Sequence, residues 1–183
     1  KDYVAANTGE TMYTEYVKNA NEVENYEKGI ETDWVYDMAS QTGIITDHNI
    51  SVAGGAEKVN YYVSLDYLNQ KGVLKGFNYT RYSLRTNIDM NVTDYLKVGT
   101  NTFIASHNRD GGRVNFLNAE AMSPYAKVYE EDGSYCIYPM ASEDLWANPM
   151  IGTTRDDERR QWNVSINGFA EMDFGKILPI LKG

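Results

Sequence analysis

The sequence predicts an all-β protein with about five long antiparallel strands, and three observations support this prediction. Polar and apolar residues alternate with a period of two in five segments, and none of these segments has a helical period. Two pairs of consecutive segments are joined by very short connections, as in antiparallel hairpins. The alternating runs are also longer than the roughly five or six residues of an ordinary strand.

Tyr79–Val92 shows the alternation most clearly. One face would carry Tyr82, Leu84, Thr86, Ile88, Met90 and Val92, and the other Arg81, Ser83, Arg85, Asn87, Asp89 and Asn91. A run of this length is close to the roughly 9–11 residues with which a tilted strand crosses a bilayer. The pattern fits a barrel wall between lipid and a wet lumen. A soluble antiparallel sheet with one face on a core would alternate in the same way, so both interpretations stay open.

The remaining strands are predicted in chain order at Asp47–Gly54, Asn60–Leu68, Leu96–Ile104 and Gln161–Asp173. The Gly54–Lys58 and Val92–Tyr95 connections are tight, and we expect Gly54 and Gly55 to supply the positive φ angles of a hairpin turn. The connection from Arg109 to Glu158 is far longer than an ordinary loop, and such segments are usually functional or disordered.

Composition narrows the function classes. The net charge of −9 is concentrated in the connections, whereas the strand region is nearly neutral; with no basic stripe, nucleic acid is not an expected partner. A single cysteine, Cys136, excludes an internal disulfide framework. The 15 tyrosines suit either membrane-interface girdles or surfaces that stack on sugars.

An ordered set of motifs resembles a known family. The motifs are HNISVAGGAEK at residues 48–58, YYVSL at 61–65, YLNQKGVLKG at 67–76 and RYSLRTNID at 81–89, with TDW at 32–34, YLKVG at 95–99, NP at 148–149 and LKG at 181–183 on either side. In this order and spacing they are similar to the SusC/RagA family of TonB-dependent outer-membrane transporters. The resemblance covers nearly the whole chain and is densest from Asp47 to Ser106.

The resemblance implies a fragment of a barrel of about 22 strands that encloses a plug domain. A Ton box, a plug, a signal peptide and barrel closure are not recognisable here, so we expect an early slice of the barrel wall. Residues 1–46 would be an extracellular loop with a short helix at Glu10–Val23. Residues 47–108 would form four antiparallel strands, 109–158 a long extracellular loop, 159–173 a fifth strand and 174–183 a periplasmic turn. Both tight turns would then be periplasmic.

The function implied by the resemblance is uptake of oligosaccharides or peptides across the outer membrane of a Gram-negative bacterium. The TonB complex would supply energy through missing parts of the chain, a SusD-like surface lipoprotein would be the partner, and lipid would surround the wall. No cofactor or metal is expected, and Glu130–Ser134 fits a tight turn better than a calcium loop. The alternative is a soluble carbohydrate-binding β-sandwich; an enzyme has little support, because His48, His107 and Cys136 form no catalytic motif.

Three groups of residues are candidates for function. The long loop offers aromatic side chains that either contact a substrate or partner or pack on one another: Phe116, Tyr125, Tyr129, Tyr135, Tyr138 and Trp146. The polar face of the strands offers lumen-facing residues: Arg81, Arg85, Asn87 and Asp89. Aromatic residues at the membrane interfaces are expected to be Tyr67, Tyr82 and Trp162 at one height on the outer side, and Tyr61 and Tyr95 on the periplasmic side.

Overall fold

A computed structural model of the chain describes residues 20–39, 41–140 and 146–181. The strands are β1 (Ile44–Ala56), β2 (Val59–Lys71), β3 (Asn78–Asn91), β4 (Leu96–Asn108) and β5 (Arg160–Met172). The helices are α1 (Ala20–Lys28), α2 (Trp34–Ala39), α3 (Phe116–Ala121), a 3₁₀ turn at Ile151–Thr154 and α4 (Phe174–Leu181). The chain divides into a sheet unit (residues 43–71, 78–110 and 158–183) and a loop unit (residues 1–42, 72–77 and 111–157).

The sheet unit contains one five-stranded antiparallel sheet with the strands in sequence order. The predicted fold class, a sheet of about five long antiparallel strands, is confirmed. Each ladder pairs twelve or more residues without a bulge, so the two faces stay distinct from β1 to β5. Leu65, Leu84, Ile104 and Val164, for example, are direct partners across four strands. We call the side of the sheet that carries these residues the apolar face and the opposite side the polar face.

The first hairpin differs from the sequence-based prediction. Strand β1 extends to Ala56, so Gly54 and Gly55 lie inside the strand, opposite Tyr61 and Asn60, and neither has a positive φ. Only Glu57 and Lys58 form the turn. A Cβ atom at Gly54 would lie 2.5 Å from the Tyr61 hydroxyl oxygen. Gly54 therefore leaves room for the Tyr61 ring across the ladder, and the predicted role in a turn is wrong.

The apolar face is exposed. On the strands at the two edges, Ile50 is 75% and Ile166 is 67% exposed, and Leu65 on β2 is 57% exposed. The cluster of buried apolar residues in the described part of the chain contains none of the apolar-face residues. The sheet therefore has no hydrophobic core of its own, unlike a soluble sheet that packs one face.

The loop unit, which includes most of the 109–158 segment predicted as a long loop, has its own hydrophobic core. Helices α2 and α3 pack in this core, where Trp34 is 4% exposed and Met38 is fully buried. The other core residues are Val114, Ala119, Met122, Ala126, Met140 and Met150. The Trp34 indole nitrogen donates a hydrogen bond to the Ser123 carbonyl at 2.9 Å, which satisfies the buried N–H group.

Three glycines allow backbone segments of the loop unit to pack directly on one another. A Cβ atom at Gly76 would collide with the carbonyl oxygen of Gly112, one at Gly112 with that of Gly152, and one at Gly152 with that of Arg113. Gly76 also has a φ of +79°, a conformation that favours glycine. The loop between β2 and β3 thereby packs on Gly112 and Arg113, which in turn pack on Gly152.

Two further predictions concern the chain ends. Residues 174–181 form helix α4 instead of the predicted turn, and Lys176 of this helix donates a hydrogen bond to the Asp94 carbonyl at 3.0 Å. The helix predicted at Glu10–Val23 lies mostly outside the described residues; the described helix α1 begins at Ala20. No helix in the described ranges is long and apolar enough to cross a membrane.

We expect Gly112→Ala to disrupt the loop unit while leaving the sheet assembled. The added methyl group would push the Gly152 carbonyl away, and a backbone carbonyl cannot move aside as a flexible side chain can. Limited proteolysis of the full-length protein should then show faster cleavage within residues 111–157.

Gly168→Ala is the matched control, because the space around Gly168 is open. Equal protease resistance of Gly112→Ala and Gly168→Ala would contradict the role of the glycine contacts.

Candidate functional site: the two faces of the sheet and the long connection

Ring side chains form a row across the apolar face near the ends of the strands that lead to the long connections. Tyr67, Tyr82 and Trp162 lie in one register row, in which Ser106 separates the last two. The Tyr67 and Tyr82 rings are 5.1 Å apart, and His48 stacks on Tyr67 at 6.2 Å. The row borders a shallow depression of about 380 Å³ whose floor includes Ile50, Leu65, Leu84 and Ile104.

A shared register does not by itself give a shared height in a membrane. Barrel strands tilt by about 35–45°, so a row of paired residues climbs by roughly 3 Å per strand at a strand spacing of about 4.8 Å. Tyr67 and Tyr82 would differ by about 3 Å, and Tyr67 and Trp162 by about 9 Å, over the three strand steps between them. The first two fit one interfacial zone, whereas Trp162 would lie at another depth.

The other predicted interface aromatics lie toward the tight turns. Tyr61 on β2 covers Gly54 and is paired with Ile88, and Tyr95 lies in the connection between β3 and β4. From Tyr82 to Met90 the apolar face of β3 extends about 27 Å along the strand, or about 21 Å along the normal at a 40° tilt. This is close to the roughly 25 Å apolar band of outer-membrane barrels.

Charged residues are confined to one end of the apolar face. The register places only Lys71 and Arg160 there among the charged residues of the five strands, and both lie where the strands meet the long connections. The middle of the face carries aliphatic, aromatic, threonine and glycine residues. It therefore offers no charge that a lipid tail would have to desolvate.

The polar face carries interlocked side chains at the same end. Arg81 Nη2 donates a hydrogen bond to Asp66 Oδ1 at 2.8 Å, and the Ser83 hydroxyl donates to the same oxygen at 3.2 Å. The Tyr79 hydroxyl and His107 Nδ1 are 2.7 Å apart and their rings stack, while Asn163 Nδ2 lies 3.1 Å from His107 Nε2. Of the predicted lumen-facing residues, Arg81 is therefore part of a network within the wall.

The turn end of the polar face is also paired. Lys97 Nζ lies 3.2 Å from Asp89 Oδ2 and 5.7 Å from the centre of the Phe169 ring. The ring lies across Gly99, where a Cβ atom would collide with it. Asp89, another predicted lumen-facing residue, is thus engaged with the neighbouring strand.

The middle of the polar face is different. Asn87, Asn101 and Asn167 are direct partners in one register row. In the next row the Arg85 guanidinium lies over the Phe103 ring, 5.6 Å from its centre. No side-chain hydrogen bond joins Arg85 or these three asparagines to another described residue. Their side-chain donors and acceptors are therefore available.

Sequence reasoning gave no role to three aromatic residues of the polar face. Tyr62, Phe103 and Phe169 share this face with the predicted polar residues. Their positions break the alternation, and that irregularity was the available signal. Phe103 and Phe169 each contact a cation of the neighbouring strand, so they pack within the wall instead of indicating a change of face.

The aromatic candidates of the long connection fall into buried and exposed groups. Tyr125 is only 5% exposed, its hydroxyl donates to Glu31 Oε1 at 2.9 Å, and its ring meets Tyr26 edge-on. It has no surface for a ligand, so its assignment as a contact residue is wrong. Tyr135 and Trp146 pack against the core of the loop unit. Phe116, Tyr129 and Tyr138 remain exposed.

Tyr129 and Tyr135 flank a tight turn, in which their rings stack at 5.1 Å. Glu130 N–H donates to the Ser134 carbonyl at 2.8 Å, and Gly133 has a φ of +82°. Desolvation raises the pKa of Tyr129. Beside the turn lies an open depression of about 730 Å³ lined by Tyr135, Ile137, Tyr138 and Ile151 among others.

Hydrogen bonds between residues 109–110 and 159–160 join the two ends of the long connection at the sheet, and we call this set of bonds the Asp110 clasp. Asp110 Oδ1 accepts a hydrogen bond from the Arg159 backbone N–H at 2.7 Å, and Asp110 Oδ2 accepts one from Arg160 Nε at 2.6 Å. Arg109 N–H donates to the Arg159 carbonyl at 2.9 Å. The two bonds to the Asp110 carboxylate, that from the Arg159 N–H foremost, hold the pKa of this carboxyl below its usual value.

Comparisons with known proteins agree with this architecture. The chain is 34% identical over 118 residues to TonB-dependent receptor P26 of Formosa agariphila, covering 64% of this chain and 12% of that protein. It is 30% identical over 140 residues to TonB-dependent receptor SusC of Bacteroides thetaiotaomicron, covering 74% of this chain and 13% of SusC. The chain thus spans only about an eighth of these curated relatives. No protein-family model matches it.

Solved structures of the RagAB peptide transporter contain the same fold. One match has a TM-score of 0.62 at 20% identity and covers 93% of this chain and 23% of that one. The "closed-closed" state of the RagAB peptide importer matches with a TM-score of 0.59 at 25% identity, over 78% of this chain and 17% of that one. The resemblance to SusC-like TonB-dependent transporters that was inferred from the motifs is confirmed, and the five strands match a segment of their barrel wall.

We expect the Asp110 clasp to depend on pH. Because its pKa is lowered in the folded protein, the ionised carboxylate stabilises the clasp above the ordinary aspartate value of about 3.9. This contribution is lost as the pH falls through the lowered folded value. Protease cleavage within residues 111–157 of the full-length protein should therefore rise on acidification below about pH 4.

Asp110→Asn should raise cleavage at neutral pH and flatten this pH dependence. Asp156→Asn, at an exposed carboxylate of the same connection, is the control and should behave like the unmodified protein. Parallel pH profiles for Asp110→Asn and the unmodified protein would exclude the clasp as the titrating contact.

Proposed function

We propose that this chain is part of the wall of an outer-membrane active importer of a Gram-negative bacterium. The apolar face would contact lipid and the polar face would line the lumen. The observation that carries this proposal is the continuous apolar face, which is uncharged across the middle of all five strands and has no residue in the buried core. It is exposed at Ile50, Leu65 and Ile166 and half-buried at Leu84 and Ile104.

Lipid contact explains why these residues are exposed. An apolar surface of this extent is costly in water and is normally covered in a soluble protein. A carbohydrate-binding β-sandwich would bury the same residues against a second sheet. The buried apolar cluster in the described residues instead consists of loop-unit residues such as Trp34 and Met150, so the sandwich alternative is disfavoured.

The relatives suggest how such a wall would be used. SusC is named as a TonB-dependent receptor, and RagAB as a peptide transporter. We therefore infer import of an oligosaccharide or peptide, energised by the TonB complex through parts of the protein outside this chain. A SusD-like surface lipoprotein would be the partner. Phe116, Tyr129 and Tyr138 are the exposed aromatic residues through which the long connection would contact the substrate or this partner.

The facing of the strands can be tested with two neighbouring substitutions in β3. Ile88→Arg places a charge on the apolar face, and we expect it to destabilise membrane insertion by roughly 2–4 kcal/mol near the bilayer midplane. Asn87→Arg places the same charge on the polar face, where lumen water can solvate it, so it should be tolerated. Folding of full-length variants into liposomes measures both.

The pair is closely matched, because the two residues differ by one position along the strand. Similar losses of insertion for both variants would show that the two faces do not meet lipid and lumen, and the proposal would then be wrong.

Contact through the loop aromatics gives a separate prediction. Tyr138→Ala should reduce uptake or partner affinity by roughly 2–10-fold, as expected for the loss of one aromatic contact. Tyr36→Ala removes another exposed tyrosine of the loop unit and serves as the control. Substrate uptake by cells that produce equal amounts of each variant is the measurement. If both variants reduced uptake equally, the effect would come from general destabilisation of the loop unit, and a specific contact through Tyr138 would be excluded.

A further inference from the structure

The cations of the polar face are not equivalent. Arg81 is paired with Asp66 at 2.8 Å and Lys97 with Asp89 at 3.2 Å. Arg85 lies between them on the same face, in the middle of β3, and is exposed. No carboxylate among the described residues forms an ion pair with it. A charge that is left without a partner at one position, next to two paired ones, is available to bind something else.

Arg85 is also held in place. Its guanidinium carbon lies 5.6 Å from the centre of the Phe103 ring, and Phe103 is its direct partner on β4. A cation–π contact uses the charge of the group but none of its five N–H donors as hydrogen bonds. The contact restrains the side chain before a ligand arrives, which lowers the entropic cost of binding. The donors then remain free to form a bidentate pair with a planar anion.

Two amides lie beside Arg85: Asn87 is the next residue along β3 on this face, and Asn101 is diagonal to it on β4. The one carboxylate diagonal to it, Asp66 on β2, is bonded by Arg81 and Ser83. Ser64, its direct partner on β2, is buried and accepts a hydrogen bond from Asn49. Diagonal neighbours in a sheet have Cβ atoms roughly 7–8 Å apart, within reach of one bound group. One guanidinium flanked by amides matches a singly charged carboxylate better than a phosphate, whose second charge would need another cation.

We propose that Arg85, restrained by Phe103 and flanked by Asn87 and Asn101, is a carboxylate-binding site on the lumen side of the wall. The site rests on the proposed function, because it requires the polar face to line the lumen. The carboxylate could belong to an acidic ligand passing through the lumen or to another segment of the full-length protein. The chemistry of recognition is the same in both cases, so the experiment has one arm for each source.

The first arm measures ligand binding by the purified full-length protein at low ionic strength, using penta-aspartate and its uncharged analogue penta-asparagine as probes. If a passing ligand is the source, penta-aspartate should bind at least about tenfold more tightly than penta-asparagine. Arg85→Gln should abolish this difference. Arg85→Lys should retain part of it, because the charge remains but the bidentate geometry is lost. Lys58→Gln, which removes a charge in the β1–β2 turn, should have no effect.

The second arm measures hydrogen exchange across the full-length protein without a probe. If an internal carboxylate occupies the site, the unmodified protein should not discriminate between the peptides. Arg85→Gln should then increase exchange by several-fold in a segment outside these 183 residues, Arg85→Lys should increase it less, and Lys58→Gln should leave it unchanged.

Either pattern supports the site and identifies the source of the carboxylate. The proposal is overturned if Arg85→Gln matches the unmodified protein in both arms, or if Lys58→Gln has the same effect as Arg85→Gln. Insertion into liposomes, measured on the same preparations, tests the barrel-wall function independently of the Arg85 site. A protein that inserts normally but shows neither response would remove the Arg85 site and leave the barrel-wall function standing.

Discussion

The uninterrupted register of four antiparallel ladders is the constraint on which the rest of the sheet depends. Side chains alternate across a strand, so a slip of one residue in any ladder would move a strand's apolar residues to the polar face. Side-chain packing agrees with the observed register. Tyr61 lies over Gly54, and Phe169 lies over Gly99, where an added Cβ atom would require the ring to move. The hydrogen-bonded ladders set the register, and both faces follow from it.

The two units of the chain are stabilised by different means. The loop unit buries Trp34, Met38 and their neighbours and depends on glycine contacts between backbone segments, as small soluble domains do. The sheet unit pairs its backbone groups in ladders but leaves its apolar face without protein partners. The lipid contact that we propose for this face would supply the apolar surroundings that the chain itself does not provide.

Sequence reasoning succeeded where a local pattern determines the structure and failed where long-range packing does. The alternation at Tyr82, Leu84 and Ile88 predicted the strand and its facing correctly, because a period of two has one structural meaning over so many residues. The roles of Gly54 and Gly55 were mistaken, since a glycine pair is equally compatible with a turn and with a strand that makes room for Tyr61. Nothing in the local sequence distinguishes buried Tyr125 from exposed Tyr138; partners about a hundred residues away, such as Asn25, decide it.

The polar face differs between its two ends and its centre. At its two ends the charged groups form ion pairs between neighbouring strands, Arg81 with Asp66 and Lys97 with Asp89. Such partly exposed pairs add little stability individually, yet they leave no uncompensated charge to attract ions nonspecifically. The centre, with Arg85 and the row of asparagines, keeps its hydrogen-bonding groups available. A ligand that crosses this face would therefore meet its main polar attraction halfway along the wall, where the strands on both sides are held by paired charges.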